Sequence, residues 1–137
     1  MSWQVKEVPV EYVNKAWSEV EHFLVKSVAY SNGELTIEET KMRLLDGSWI
    51  LFVALDDAEE VKGAATVCFY NRMDNRVAYV TNIGGRLLAD LETFSHFCEH
   101  LKKHGATCIE GAVRESLMRL WARLGARKKT TIVQIAL

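Results

Sequence analysis

Apolar and polar positions alternate through "WQVKEVPV" and the alternation stops at Pro9, which predicts a short strand. In "VEYVNKAWSEVEHFLVKSV" the period lengthens. Val13, Trp17, Val20, Leu24 and Val28 recur at helical spacing, so a helix follows, stopping near "YSNGE", where Asn32-Gly33 is a turn signal. Thr36 and Glu39 stand at capping-box spacing and Gly47 is a natural stop, so a second short helix is predicted over 37–46. Three β-rich runs come next: "SWILFVAL", "VKGAATVCFYN" and "RVAYVTNI". The polar connections "DDAEE" and "RMDN" are short enough for antiparallel hairpins, giving a meander.

After "VTNIGG" the period becomes helical again. A helix is predicted from about Asp90 to His104, with Leu91, Phe94, Cys98 and Leu101 on its apolar face and Gly105 at its end. "ATCIEGAV" predicts a short strand. Arg114 to Leu124 predicts a helix with Leu117, Leu120, Trp121 and Leu124 on one side, and "KKTTIVQIAL" a closing strand. The expected fold is α/β, a mixed sheet flanked by helices in the order β-α-α-β-β-β-α-β-α-β. The strand-helix-strand run over 77–113 implies a parallel pair with a right-handed crossover beside the meander.

A chain of 137 residues points to a single domain, 1–137. It can bury roughly two-thirds of its unfolded surface, enough for a core without staples. The net charge of −1 argues against a strong non-specific nucleic-acid or membrane binder. Cys68, Cys98 and Cys108 are widely spaced in apolar runs and read as reduced core thiols of a cytoplasmic protein. The N-terminal "MSWQVKEVPV" carries charges and has neither signal-peptide nor membrane-span character. There is no internal repeat.

Three stretches carry a family resemblance. "SWILFVALDDAEEVKGAATVCFY" is similar to the hairpin of the GCN5-related N-acetyltransferase (GNAT) family, with Gly63 at its usual glycine. "VTNIGG" resembles the central strand whose end splays open to admit acyl-CoA, and "LMRLWARLGA" the family's late-helix A-x-x-L-Y-x-x-x-G-F pattern. The double glycine, the arginine opening the last helix and the small size resemble short GNAT-like proteins of tailed bacteriophages. The resemblance implies an N-acyltransferase using acetyl-CoA and an amine acceptor, in the host cytoplasm or in a virion. It also implies an alternative, a GNAT-derived binding or structural part of a phage particle or its assembly.

The departures from the family pattern matter as much. Its cradle, Q/R-x-x-G-x-G/A, holds the pyrophosphate of CoA on backbone N–H groups and a helix N-terminus. Here the segment is "IGGRLLADLE", with the glycines before the loop and Leu87-Leu88 in its middle. Ile83, Gly84, Gly85 and Arg86 are the candidate cofactor-binding residues, with Arg114 where the family has an asparagine. The glycine pair nevertheless reads as a corner more than as a cradle. Trp121 stands where many members carry the tyrosine that protonates the leaving thiolate; an indole N–H is not a useful acid, so Trp121 reads as core.

Glu110 is the candidate general base, with Asp74 behind it, and both also suit a solvated surface. His96, His100 and His104 have metal-capable spacing but oppose the apolar stripe, and read as a polar face. Trp3, Trp17, Trp49, Phe69 and Tyr79 read as core anchors. Arg119, Arg123, Arg127, Lys128 and Lys129 read as a solvated cationic face, or as a contact for an acidic partner or for CoA phosphates. Ile132, Val133, Ile135 and Leu137 make the closing strand an unprotected edge, for which a homodimer or docking interface is expected.

Overall fold

The computed structural model describes residues 4–29 and 35–137. The expected Asn32-Gly33 turn, Trp3 and the Val28 side chain lie outside the described residues. Strand β1 (Gln4–Val8) stops before Pro9, which opens a single 3-10 turn leading into α1 (Val13–Ala29). Helix α2 (Ile37–Leu45) begins as its capping signal requires: Thr36 Oγ1 accepts from Glu39 N at 3.1 Å. It ends at Asp46, ahead of Gly47 with φ +81°.

Strands β2 (Ile50–Leu55), β3 (Val61–Arg72) and β4 (Asn75–Gly85) form the meander, and β5 (Cys108–Glu110) joins β4 in parallel. The described residues give a five-stranded sheet in the order β1-β2-β3-β4-β5. The β2–β3 turn is pinned by Asp56 Oδ1, which accepts from Ala58 N and Glu60 N. Leu51 and Val53 face α1 and α2 with Val13, Val20, Leu24 and Leu44, while Phe52, Ala65, Val67, Ala78 and Val80 face the opposite layer. Both faces of β2 and β3 are covered, so these strands read as continuous apolar runs.

The opposite layer is α3 (Arg86–Ala89) and α4 (Leu91–Lys103), with α5 (Met118–Arg123) near β5. The mixed sheet flanked by helices matches expectation; several details do not. Leu91 is 64% exposed, and Thr93, Phe94, Phe97 and Leu101 form the buried stripe of α4. Both stripes satisfy a 3.6-residue period, and the angle at which α4 lies on the sheet selects the second. The last helix is split, a 3-10 turn over Glu115–Leu117 preceding α5.

The largest correction concerns the closing strand. Residues 127–137 form no strand and lie exposed, Ile132 at 81%, Val133 at 83% and Ile135 at 83%. Propensity alone does not make a strand; it needs a paired neighbour, and among the described residues β5, three residues long, pairs only with β4.

Candidate functional site

The glycine pair sits where β4 turns directly into α3. Gly63 is paired with Gly85 and Ala64 with Gly84, so the β3–β4 ladder runs to the last residue of the strand. Gly85 has φ +68° and ψ −144°, a conformation almost reserved for glycine. A methyl there would meet Lys62 O at 2.5 Å and Gly63 Cα at 2.8 Å. One on Gly84 would meet Phe23 O at 3.0 Å. Both glycines are therefore required by close backbone packing against β3 and α1.

The backbone nitrogens around this corner are closely packed. A methyl on Gly63 would stand 2.9 Å from Arg86 N and 3.0 Å from Leu87 N, so these nitrogens lie against β3. Ile83 N donates to Ser27 Oγ at 3.1 Å. Leu87 is fully buried in the core, and Arg86 is exposed with its own interactions. The long helix that follows, α4, starts at Asp90, whose carboxylate accepts from Thr93 N at 3.3 Å and from the Thr93 hydroxyl. That hydroxyl holds the Asp90 carboxyl below its usual pKa. Asp90 was missed at the sequence level, although an aspartate three residues before Thr93 is a capping signal.

Beyond Tyr79 and Glu110 the parallel pairing of β4 and β5 ceases. The Trp121 ring occupies the mouth of this fork. A methyl on Gly111 would meet Trp121 Cη2 at 3.2 Å and Val80 O at 3.3 Å, and Trp121 is buried. The indole is thus core, as its position predicts. Just inside the fork, β4 carries a bulge at Thr81. Thr66 Oγ1 lies 2.6 Å from Thr81 Oγ1 and donates to Asn82 Oδ1 at 2.7 Å, a buried hydroxyl–amide cluster with no sequence signature.

Glu110 is partly buried and fully engaged. Arg72 meets it with both guanidinium nitrogens, Lys129 Nζ donates to Oε2 at 2.8 Å, and Tyr70 Oη donates to Oε1 at 3.1 Å. The Arg72 hydrogen bonds first, then Lys129 and Tyr70, lower its pKa to about 2. Burial first, and then the Glu110 contact, raises that of Tyr70. Arg72 and Tyr70 carried no sequence signal, and Lys129 read only as part of a cationic face; all three are brought to Glu110 by the sheet and by the course of the chain after α5.

The remaining candidates are scattered. Arg114, exposed and with interactions of its own, precedes the 3-10 turn before α5, and Asp74 is exposed in the β3–β4 turn. His104 is not simply solvated; its ring stacks on Phe69, with centroids 4.9 Å apart, and Nε2 meets Glu7. Among the described residues no group of three or more His, Cys, Asp and Glu is placed to hold a metal ion. The three cysteines are half-buried free thiols, and burial raises the pKa of Cys68 and Cys98. Trp17 and Trp49 lie at the rim of the core rather than inside it, Lys41 Nζ standing 5.3 Å from the Trp17 ring centroid. Among the described residues no helix is long and apolar enough to cross a membrane.

No protein-family model matches this chain, and no curated protein matches it in sequence. Solved structures do match in fold. An aminoglycoside acetyltransferase from an uncultured soil metagenomic sample, in complex with sisomicin, superposes with a TM-score of 0.69 at 10% identity, over 98% of this chain and 96% of that one. A second soil metagenomic aminoglycoside acetyltransferase gives 0.68 at 16% identity, over 100% and 99%. Glucosamine-6-phosphate N-acetyltransferase from Arabidopsis thaliana gives 0.61 at 11% identity, over 99% of each chain. At these identities the likeness is one of architecture, and the architecture is that of the GNAT acetyltransferases.

Proposed function

We propose that this chain is a non-catalytic GNAT-derived protein that serves as a binding or structural part. The observation that carries the reading is the Asp90 carboxylate capping α4. A CoA pyrophosphate would take that helix N-terminus and the amides beside it. Here a carboxylate already sits on it, and a pyrophosphate would bring like charge to the same place. Ile83, Gly84, Gly85 and Arg86 are also poorly placed for the group, because the Ile83 amide is already bonded to Ser27 Oγ and the Arg86 and Leu87 nitrogens stand 2.9 and 3.0 Å from a Cβ position on Gly63 in β3. Glu110, with a pKa of about 2 and three donors on its carboxylate, is poorly suited to accept an amine proton at neutral pH. The resemblance to short phage GNAT-like proteins supports a particle or its assembly as the setting, with the host cytoplasm or the virion as the location. The exposed apolar segment at 132–137 supports a second copy of the chain as partner.

A second reading, an acetyl-CoA-dependent N-acyltransferase with an amine acceptor, has one observation in its favour. The β4–β5 ladder stops after three pairs beside a bulge, the kind of opening that an acyl-CoA enters in the resemblance. Titration with acetyl-CoA, followed by thermal melting and by release of free CoA thiol in the presence of an aminoglycoside or glucosamine 6-phosphate, separates the two. Under the first reading neither changes. Saturating stabilisation, about 2.7 kcal/mol at 100 times the dissociation constant, together with thiol release, overturns it in favour of the second.

A further inference from the structure

Strand β1 lies at the margin of the sheet away from the β4–β5 fork. Among the described residues it pairs only with β2, so its outer edge presents backbone groups without ladder partners. Helix α4 runs alongside that edge. Val5 belongs to the core under α4, and His104 Nε2 meets Glu7, which seats the end of the helix on the strand. Between helix and strand lies a groove of about 460 Å³, with Gln4, Val5 and Lys6 on the strand side. On the helix side stand His96, Glu99, His100 and Lys103, spaced i, i+3, i+4 and i+7, so they form one stripe. The charge of the groove is one-sided. Lys6 and Lys103 are exposed cations, His96 and His100 bring ring nitrogens, and the carboxylate of Glu99 is already met by Lys102 Nζ at 3.2 Å.

We infer that this groove takes an extended acidic segment of another protein, which adds to the outer edge of β1 as a further strand. Pairing with the edge supplies the affinity, and the flanking cations select the sign of the side chains. The five residues of β1 offer about 17 Å of edge. The stripe from His96 to Lys103 rises about 10 Å along the helix. In an added strand, alternate side chains stand about 7 Å apart on one face, so two carboxylates at alternate positions fit against the stripe. Lys6 is paired with Val53, whose side chain faces α1 and α2, so Lys6 lies on the other face and meets a carboxylate between those two. The occupant is therefore an acidic run, not a lone acid. Asp56, Asp57 and Glu59 flank Gln4 in the neighbouring recess, so that run does not extend past Gln4. A second copy of this chain does not supply it. The acidic run "DDAEE" is folded into the β2–β3 turn, where Asp56 Oδ1 holds the amides of Ala58 and Glu60. The groove is at the opposite margin from the fork, so the inference goes beyond the functional reading above and stands apart from acetyl-CoA binding.

The test uses the full chain and an end-blocked, fluorescently labelled peptide of three consecutive glutamates with two valines on each side. Anisotropy should rise to saturation and weaken with added salt, and the amides of residues 5–8 should gain protection from hydrogen exchange when the peptide is bound. Lys103→Glu and Lys6→Glu should each weaken binding about tenfold, with an unchanged circular dichroism spectrum, because both side chains are exposed. Absence of binding overturns the inference, and so does equal binding of the peptide with lysines in place of glutamates. Binding that leaves residues 5–8 unprotected and protects the arginine face of α5 overturns it too. So does protection of residues 5–8 that rises with the concentration of the chain alone, since the occupant would then be a second copy. None of these outcomes depends on acetyl-CoA, so failure here is distinct from failure of the functional reading.

Discussion

Replacing Gly85 by alanine tests the corner directly. The new Cβ would stand 2.5 Å from Lys62 O, 2.8 Å from Gly63 Cα and 2.9 Å from Phe23 Cδ1. The ring carbon can swing away. The other two belong to the paired backbone of β3 and cannot move without opening the ladder. The dihedrals, φ +68° and ψ −144°, cost an L residue about 1–3 kcal/mol by themselves. Forced displacement of a packed neighbour adds about 1–3 kcal/mol. A loss of roughly 2–6 kcal/mol is therefore expected, a large part of a total that is usually about 5–15 kcal/mol. Gly125 supplies the control, since it also has a positive φ, +97°, but nothing lies within 4 Å of its Cβ position. Gly125→Ala should lose only the backbone part, about 1 kcal/mol. Equilibrium urea unfolding with matched slopes measures both. If the two alanine variants lose the same stability, or if Gly85→Ala is neutral, the close-packing argument is wrong. Neutral stability with lost CoA binding would restore the cradle.

Trp121→Ala should cost about 3–5 kcal/mol in the same assay, while Trp121→Tyr folds and stays without acetyl-transfer activity; activity gained in that variant would show an otherwise intact site. Asp90→Ala removes the cap of α4 and should cost about 1 kcal/mol, whereas Asp90→Asn, which keeps the hydrogen bond, should cost less; acetyl-CoA binding gained in both variants and absent from the parent would identify the carboxylate as the barrier. Glu110 has a folded pKa of about 2, below its ordinary value, so its contribution is present above about pH 4.5 and is lost as the pH falls towards 2. Solvent screening limits that contribution to about 1 kcal/mol, so Glu110→Gln should be less stable than the parent near neutral pH and draw level with it at about pH 2, and a constant gap between the two would refute the pairing. Thr66→Val strands Asn82 Oδ1 in the core and should cost about 1–3 kcal/mol, read by thermal melting.

What was legible in the sequence was whatever short-range chemistry decides. Thr36 with Glu39, Gly47, Gly105 and the polar hairpin turns each act within a few residues, and the elements they bound appear where expected. The sheet and its helical layers follow from the change of period along the chain. What was not legible depends on partners distant in the chain. Glu110 is set by Arg72 and Lys129, and its pairing with them follows from the β4–β5 register and from where the chain emerges after α5. Leu91 and Phe97 fit one periodicity equally well, and only the seating of α4 separates them. The segment 130–137 shows the same limit from the other side, because its residues favour a strand while strand formation waits on a neighbour.

The order β1-β2-β3-β4-β5, identical in space and in sequence, has a kinetic consequence. No strand has to be inserted between two that are already paired, so the sheet can grow by accretion at its margins. The β3–β4 hairpin closes over a short turn at Met73-Asp74 and has the least loop entropy to overcome, which makes it the natural nucleus. β5 follows once α4 has formed the crossover. β1, separated from β2 by two helices, joins late, since its pairing must close the longest loop in the sheet. During synthesis the strands of the nucleus and the crossover precede residues 127–137 in the chain, so the margin beside β5 can form before that segment is present.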